Sequence, residues 1–251
     1  EDSLALNFFS PKGKSGRSTL IANLAFSLAE KTGKKVGIID ADLQFGDLSL
    51  FFNVVPQGTI VEAVRDLSFL SPLTFASYFT PAADHVSILC SPKRPEYAGQ
   101  ISAADITALI QMAKGIFSYV LIDVPPAFNL ISIAAAEASD KTIVVAMISA
   151  GFEVLHVKRA LEIFKVWPDY AQKVYVVFTR TDPCTEETRE KLATELGYPV
   201  FAVIPNEYLL LSEAGNQGNI LTQKKPNAEF SVSVRSMAER IARLQGKEMP
   251  S

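Results

Sequence analysis

Lys12-Gly13-Lys14-Ser15-Gly16-Arg17-Ser18-Thr19 stands directly behind the apolar run Leu4-Ala5-Leu6-Asn7-Phe8-Phe9. It stands directly ahead of a helical pattern in which Ile21, Leu24, Ala25 and Leu28 form one stripe. A strand feeding a glycine-containing loop that opens a helix aims backbone N–H groups, and the positive end of the helix, at an anion. Phosphate loops of this build usually end Gly-Lys-Ser/Thr; this one ends Gly16-Arg17-Ser18. The pattern predicts a loop that holds a nucleotide and splits it slowly or not at all. Gly13 and Gly16 permit close backbone approach to phosphate. Ser18 is placed to put its hydroxyl on Mg²⁺, and Thr19 to reach an α-phosphate oxygen. The plainer alternative is a Gly/Lys/Ser surface turn, and the decision depends on what lies downstream.

Two acidic strand ends lie downstream. Val36-Gly37-Ile38-Ile39 runs into Asp40, followed by Ala41-Asp42; Tyr119-Val120-Leu121-Ile122 runs into Asp123, followed by Val124-Pro125-Pro126. Carboxylates at the C-terminal ends of parallel strands sit where open sheets bind ligands. Asp123 is expected in the Mg²⁺ shell, usually through water, and Asp40 is placed to orient an attacking water. A strand-terminal aspartate taken singly is more often a helix cap or turn former, and it is the pair together with the loop that favours the metal reading; Gly46-Asp47 reads as a turn.

Strand candidates are Leu4 to Phe9, Lys35 to Asp40, Val86 to Cys90, Tyr119 to Asp123, Thr142 to Met147, Val174 to Phe178 and Pro199 to Val203. Several are near-continuous Val/Ile/Leu runs, which suits parallel strands covered on both faces. Helical patterns alternate with them. Ser71-Pro72 reads as N-cap and first-turn proline, and Ser102 with Asp105 opens a helix over 103–117. Thr185 opens a charged helix closing near Gly197, and a last helix covers about 233–244. Pro81 to Asp84 reads as a loop. The alternation predicts one α/β domain over residues 1–251, a doubly wound, mostly parallel sheet with helices on both faces.

The bulk numbers narrow the function classes. The chain is 48% hydrophobic, 20% charged and of net charge −3, so it is a globular protein whose acidic balance disfavours a nucleic-acid partner. Its two cysteines, Cys90 and Cys184, make neither metal-ligand spacing nor a disulfide framework, and read as buried or incidental thiols of a reducing compartment. An iron–sulfur role therefore has no motif. The last helix carries an apolar face of Val234, Met237, Ala238, Ile241 and Leu244. It is expected to pack on the sheet, with membrane-surface binding as the alternative.

Lys12 at the loop start, Asp40-Ala41-Asp42 and Asp123-Val124-Pro125-Pro126 resemble the MinD/ParA family of deviant P-loop ATPases. Residues 40 to 47, Asp-Ala-Asp-Leu-Gln-Phe-Gly-Asp, are similar to its CpaE/TadZ branch. So are Ile204-Pro205-Asn206-Glu207 and Ser212-Glu213-Ala214-Gly215-Asn216-Gln217-Gly218. The resemblance implies ATP and Mg²⁺ as cofactors and a homodimer in which Lys12 reaches the partner's phosphates. It also implies a role in assembling or placing Flp/Tad-type pili, with pilus-assembly proteins as partners. The place it implies is cytoplasmic, at the cell pole or against the inner membrane. The branch commonly carries a receiver-like N-terminal domain. A start close to the first strand, without an initiator Met, fits a longer parent chain. Residue by residue, the resemblance puts Ser18, Asp40 and Asp123 at the metal, Asp40 also on the water, and the loop from Lys12 to Thr19 on the phosphates. Arg180, Pro205, Asn206 and Glu207 go to the base pocket.

Three departures stand out: Lys14 where the family has a second glycine, Arg17 for the loop lysine, and Thr179 where an adenine-reading Asn is usual. Arginine keeps the charge but changes the donor geometry. Slow hydrolysis is the expectation. A silent pseudo-ATPase scaffold is one alternative, and a DNA-partitioning ATPase is another.

Overall fold

The computed structural model of the protein describes residues 3–149 and 151–245. One sheet runs through it. Its strands are β1 (Leu4–Phe9), β2 (Val36–Asp40), β3 (Thr80–Ala83), β4 (Val86–Leu89), β5 (Tyr119–Asp123), β6 (Lys141–Met147), β7 (Val174–Thr181) and β8 (Val200–Pro205). Their order is β3-β4-β2-β5-β1-β6-β7-β8. All neighbours run parallel except β3 and β4. The doubly wound α/β expectation holds. Each predicted strand is present, with ends shifted by at most three residues.

Why these segments form a two-faced sheet is visible in β1. Leu4, Leu6 and Phe8 enter one buried cluster, Ala5 and Phe9 the other. Successive side chains of a strand point to opposite faces, so an unbroken apolar run needs cover on both. Helix α1 (Arg17–Thr32) and the helix Glu229–Gln245 cover the first face. The helices Ala103–Lys114 and Glu153–Phe164 cover the second. Val234, Met237, Ala238 and Ile241 are buried there, and Arg235 and Glu239 pair with Glu30 and Lys31 of α1. Those four side chains of the last helix are thereby taken up by the core. Among the described residues no helix is long and apolar enough to cross a membrane.

Three boundaries differ from the sequence expectation. Thr80–Ala83 is a strand, not a loop: it pairs antiparallel with β4 at the sheet edge, with an irregularity between Pro81 and Ala83. An edge strand tolerates a proline because one side of it needs no ladder donor. The helix from Ala103 ends at Lys114 rather than 117, with Ile116 and Phe117 N–H groups turning back to the Ala113 carbonyl. The last helix begins at Glu229, because the Glu207 carboxylate accepts from Phe230 N at 2.7 Å and supplies a cap from outside the segment. The caps read from sequence form: Ser102 pairs with Asp105 as expected, and Ser71 and Thr185 cap their helices by accepting from the Thr74 and Thr188 N–H groups.

Strand order fixes the site. β1 is central, with β5 on one side and β6 on the other. The chain therefore leaves β1 at the point where the winding reverses, which is where open α/β sheets bind ligands.

Candidate functional site

The loop after β1 turns through two left-handed residues, Lys14 (φ 63°) and Gly16 (φ 77°), on either side of Ser15. Gly16 is the N-cap of α1, and its carbonyl accepts from Leu20 N at 2.9 Å. A glycine adopts that backbone freely, whereas Lys14 does so at a cost. Lys14 is exposed, so its side chain clears the loop instead of obstructing it. Ser15 anchors the loop from beneath. Its hydroxyl shares a 2.7 Å hydrogen bond with Ser10, and its carbonyl accepts from Thr179 Oγ1 at 2.6 Å. Thr179 thus braces the phosphate loop, its hydroxyl engaged there instead of in reading a base.

Below the loop lies a buried ionic group. Asp40 and Asp123 are register partners across β2 and β5, and each is 1% exposed. Arg17 Nε donates to Asp123 Oδ1, and Ser18 Oγ donates to Asp123 Oδ2 at 2.6 Å. Both oxygens of Asp123 are therefore engaged by side chains of α1. Burial raises the Asp123 pKa, and the Arg17 charge and the Ser18 hydrogen bond oppose that rise. Asp40 has no such cation. Burial first, then the Asp123 charge, push its pKa well above the usual carboxylate range; the Leu48 N–H, at 3.2 Å from Oδ2, pulls the other way. Its other oxygen, Oδ1, is buried without a partner. Gly46 closes over it, and a Cβ there would stand 2.4 Å from Asp40 Oδ1. The Gly46 turn is held by Gly46 N donating to the Asp42 carbonyl at 2.8 Å.

The Mg²⁺ expected at Ser18, Asp40 and Asp123 can be tested against these bonds. Ser18 and Asp123 satisfy each other, and the remaining Asp123 oxygen carries a guanidinium. Among the described residues no three His, Cys, Asp or Glu side chains converge as metal ligands. As they stand, both Asp123 oxygens are taken, so these residues do not fit a divalent ion bound directly to Asp123: it would have to displace Arg17 or Ser18.

A cleft of about 230 Å³ opens beside the loop between Gly16 and Thr19 on one side and Arg180, Pro205, Asn206 and Tyr208 on the other. Arg180 (φ 53°) lies with Cζ 5.5 Å from the Tyr208 ring centre. Asn206 is exposed, while the Glu207 carboxylate is occupied at the N-terminus of the last helix. A second cavity, about 290 Å³, lies on the other flank and is lined by Lys12, Gly13, Ser15, Met147, Phe152 and His156. Lys12 is exposed and makes no hydrogen bond or ion pair among the described residues.

The predicted residues thus form three groups. Arg17, Ser18, Asp40 and Asp123 meet beneath the loop. Gly16 and Thr19 meet Arg180, Pro205, Asn206 and Glu207 at the cleft. Lys12, Gly13 and Ser15 face away from it.

This constellation spans one homologous domain. Residues 6–221 match the family described as the CobQ/CobB/MinD/ParA nucleotide binding domain. The chain belongs to that family. An ATP-binding protein of Methanocaldococcus jannaschii is 25% identical over 206 residues, 81% of this chain and 75% of that one. The fold superposes on a ParA family ATPase from Chlorobium tepidum with a TM-score of 0.86 at 19% identity, over 96% of this chain and 99% of that one. A MinD protein from Pyrococcus horikoshii, solved with Mg-ADP, gives 0.80 at 21% identity over 99% and 100%. The loop after β1 lies within the matched residues of this MinD/ParA-type fold.

Sequence reasoning missed several supports. Asn23 ties α1 to the late segment: its Nδ2 donates to the Thr19 carbonyl at 2.9 Å, and its Oδ1 accepts from Thr222 N and Oγ1 at 2.9 and 2.8 Å. No local pattern marks an Asn in mid-helix as such a strut. Gly46 carried a signal, a glycine between Phe45 and Asp47, but only the fold reveals that it faces Asp40. The thiols stay inert. Burial raises the Cys90 pKa to about 11, and Cys184 is half-buried.

Proposed function

We propose that this protein is an ATP-dependent dimerisation switch of the CpaE/TadZ-like branch, acting in the assembly or polar placement of Flp/Tad-type pili, with slow turnover. The observation that carries it is the unpartnered, exposed Lys12 on a loop whose far side adjoins a base-sized cleft. A cation so placed reaches outward more readily than back onto its own nucleotide. Amides of the Gly13 to Thr19 loop and the α1 N-terminus hold the phosphates. Asp40 is the group placed to orient an attacking water. Its raised pKa leaves a smaller ionised share for that task, and Arg17 is engaged by Asp123; both slow the step.

Sedimentation of the protein with and without ATP tests the switch. The expected result is a dimer with ATP that Lys12→Ala abolishes. A monomer under both conditions overturns it. In cells, Lys12→Ala is expected to cost surface pili and polar foci while the protein level stays normal.

The engaged Arg17 also favours a second reading, a scaffold that binds ATP and never turns it over. Phosphate release in single turnover separates the two: a rate above that of Asp40→Ala supports the switch, and an equal rate supports the scaffold.

A further inference from the structure

A guanidinium carries five N–H donors in a rigid fork. In Arg17 the Nε–H is committed to Asp123, and among the described residues Nη1 and Nη2 make no hydrogen bond. The side chain is 7% exposed, and neither Nη is a buried atom left without a partner; the fork keeps contact with solvent and has N–H donors free for an anion. It belongs to the first residue of α1, directly after the Gly16 cap, where phosphate oxygens are held by the helix N-terminus.

A divalent ion in a phosphoryl-binding site places positive charge between a protein carboxylate and the phosphate oxygens, and bridges them. Arg17 is already fixed to the carboxylate by one edge and has donors to spare on the other. Such a bidentate cation bridges two anions at once, which the single ammonium of a lysine does poorly. Exposed Lys12 and Lys14 on the same loop add charge that other phosphate loops obtain from the metal. Ser18, the usual metal hydroxyl, is turned onto Asp123 and closes the remaining oxygen.

We propose that Arg17 takes the place of the divalent ion, so that this site binds a nucleoside triphosphate without Mg²⁺. The proposal rests on the nucleotide-binding reading above and asks a separate question of it.

Calorimetric titration of the full chain with ATP, once in Mg²⁺ and once in EDTA, answers it. The wild-type protein is expected to keep its affinity within less than about tenfold between the two buffers, whereas Arg17→Lys, which frees Asp123 for a metal, loses about tenfold or more on chelation. A wild-type loss of about tenfold or more in EDTA overturns the inference and leaves the nucleotide reading standing. An Arg17→Lys variant as indifferent to EDTA as the wild type removes the role assigned to Arg17. Absence of heat in both buffers removes the nucleotide reading itself. The two wild-type titrations decide the matter even if the variant does not fold.

Discussion

The floor of the site and the cleft beside it are built on opposite principles. Beneath the loop, Arg17, Ser18 and Asp123 are buried and bonded to one another, and Asp40 is sealed under Gly46. At the cleft, Arg180 and Asn206 are exposed, and the groups that look suited to reading a base are engaged elsewhere: Thr179 on the Ser15 carbonyl and Glu207 on the last helix. On the proposed reading, the phosphate end is fixed by bonds within the protein, and the base end is loose. Such a site, so read, discriminates by the polyphosphate more than by the base, because fixed groups select geometry and loose, solvated ones do not.

The contrast can be broken most severely at Arg17. Arg17→Ala leaves Asp123 and Asp40 buried side by side without a cation and is expected to cost about 3–5 kcal/mol in urea unfolding. A loss under about 1 kcal/mol would mean the floor is solvated and the contrast is false. Gly46→Ala comes next. Its Cβ collides with the Asp40 carboxylate, so about 1–3 kcal/mol of stability is expected to go, with phosphate binding weakened as Asp40 shifts.

Asp40→Asn is expected to act in the opposite direction. The Asp40 carboxyl titrates above its value in the unfolded chain, so across the interval between the two the folded state holds more protons. Stability from this group is therefore greatest below the unfolded value of about 4 and falls as pH rises through the folded one. Asn removes that fall. At neutral pH the variant is expected to be more stable than the wild type, with the difference shrinking as pH falls toward 4, as read by thermal unfolding across pH.

The smallest effect belongs to the cleft. Asn206→Ala is expected to change stability by less than about 0.5 kcal/mol. It is also expected to leave the ratio of ATP to GTP affinity nearly unchanged. A large swing in that ratio would show a base end as selective as the phosphate end.

Much of this was legible without coordinates. The fold class followed from apolar runs alternating with amphipathic stretches, and the positions of Asp40 and Asp123 followed from the strands that end in them. The edge strand Thr80–Ala83 was not legible, because Pro81 reads locally as a loop and only the vacant side of β4 makes it a strand. The start of the last helix was hidden for a similar reason: its cap, Glu207, lies in another element.

The sequence by itself determined the kind of sheet, the glycine-containing loop between β1 and α1, and the unusual arginine in it. These depend on periodicity and neighbours within a few residues. Tertiary structure alone decided what the arginine does. Arg17 and Asp123 are 106 residues apart, Thr179 and Ser15 are 164 apart, and Asn23 and Thr222 are 199 apart. Such pairs meet only because the strand order sets the ends of β1, β5 and β7 close together and packs the late helices against α1. Whether a buried charge finds its partner depends on that arrangement and leaves no trace in local sequence.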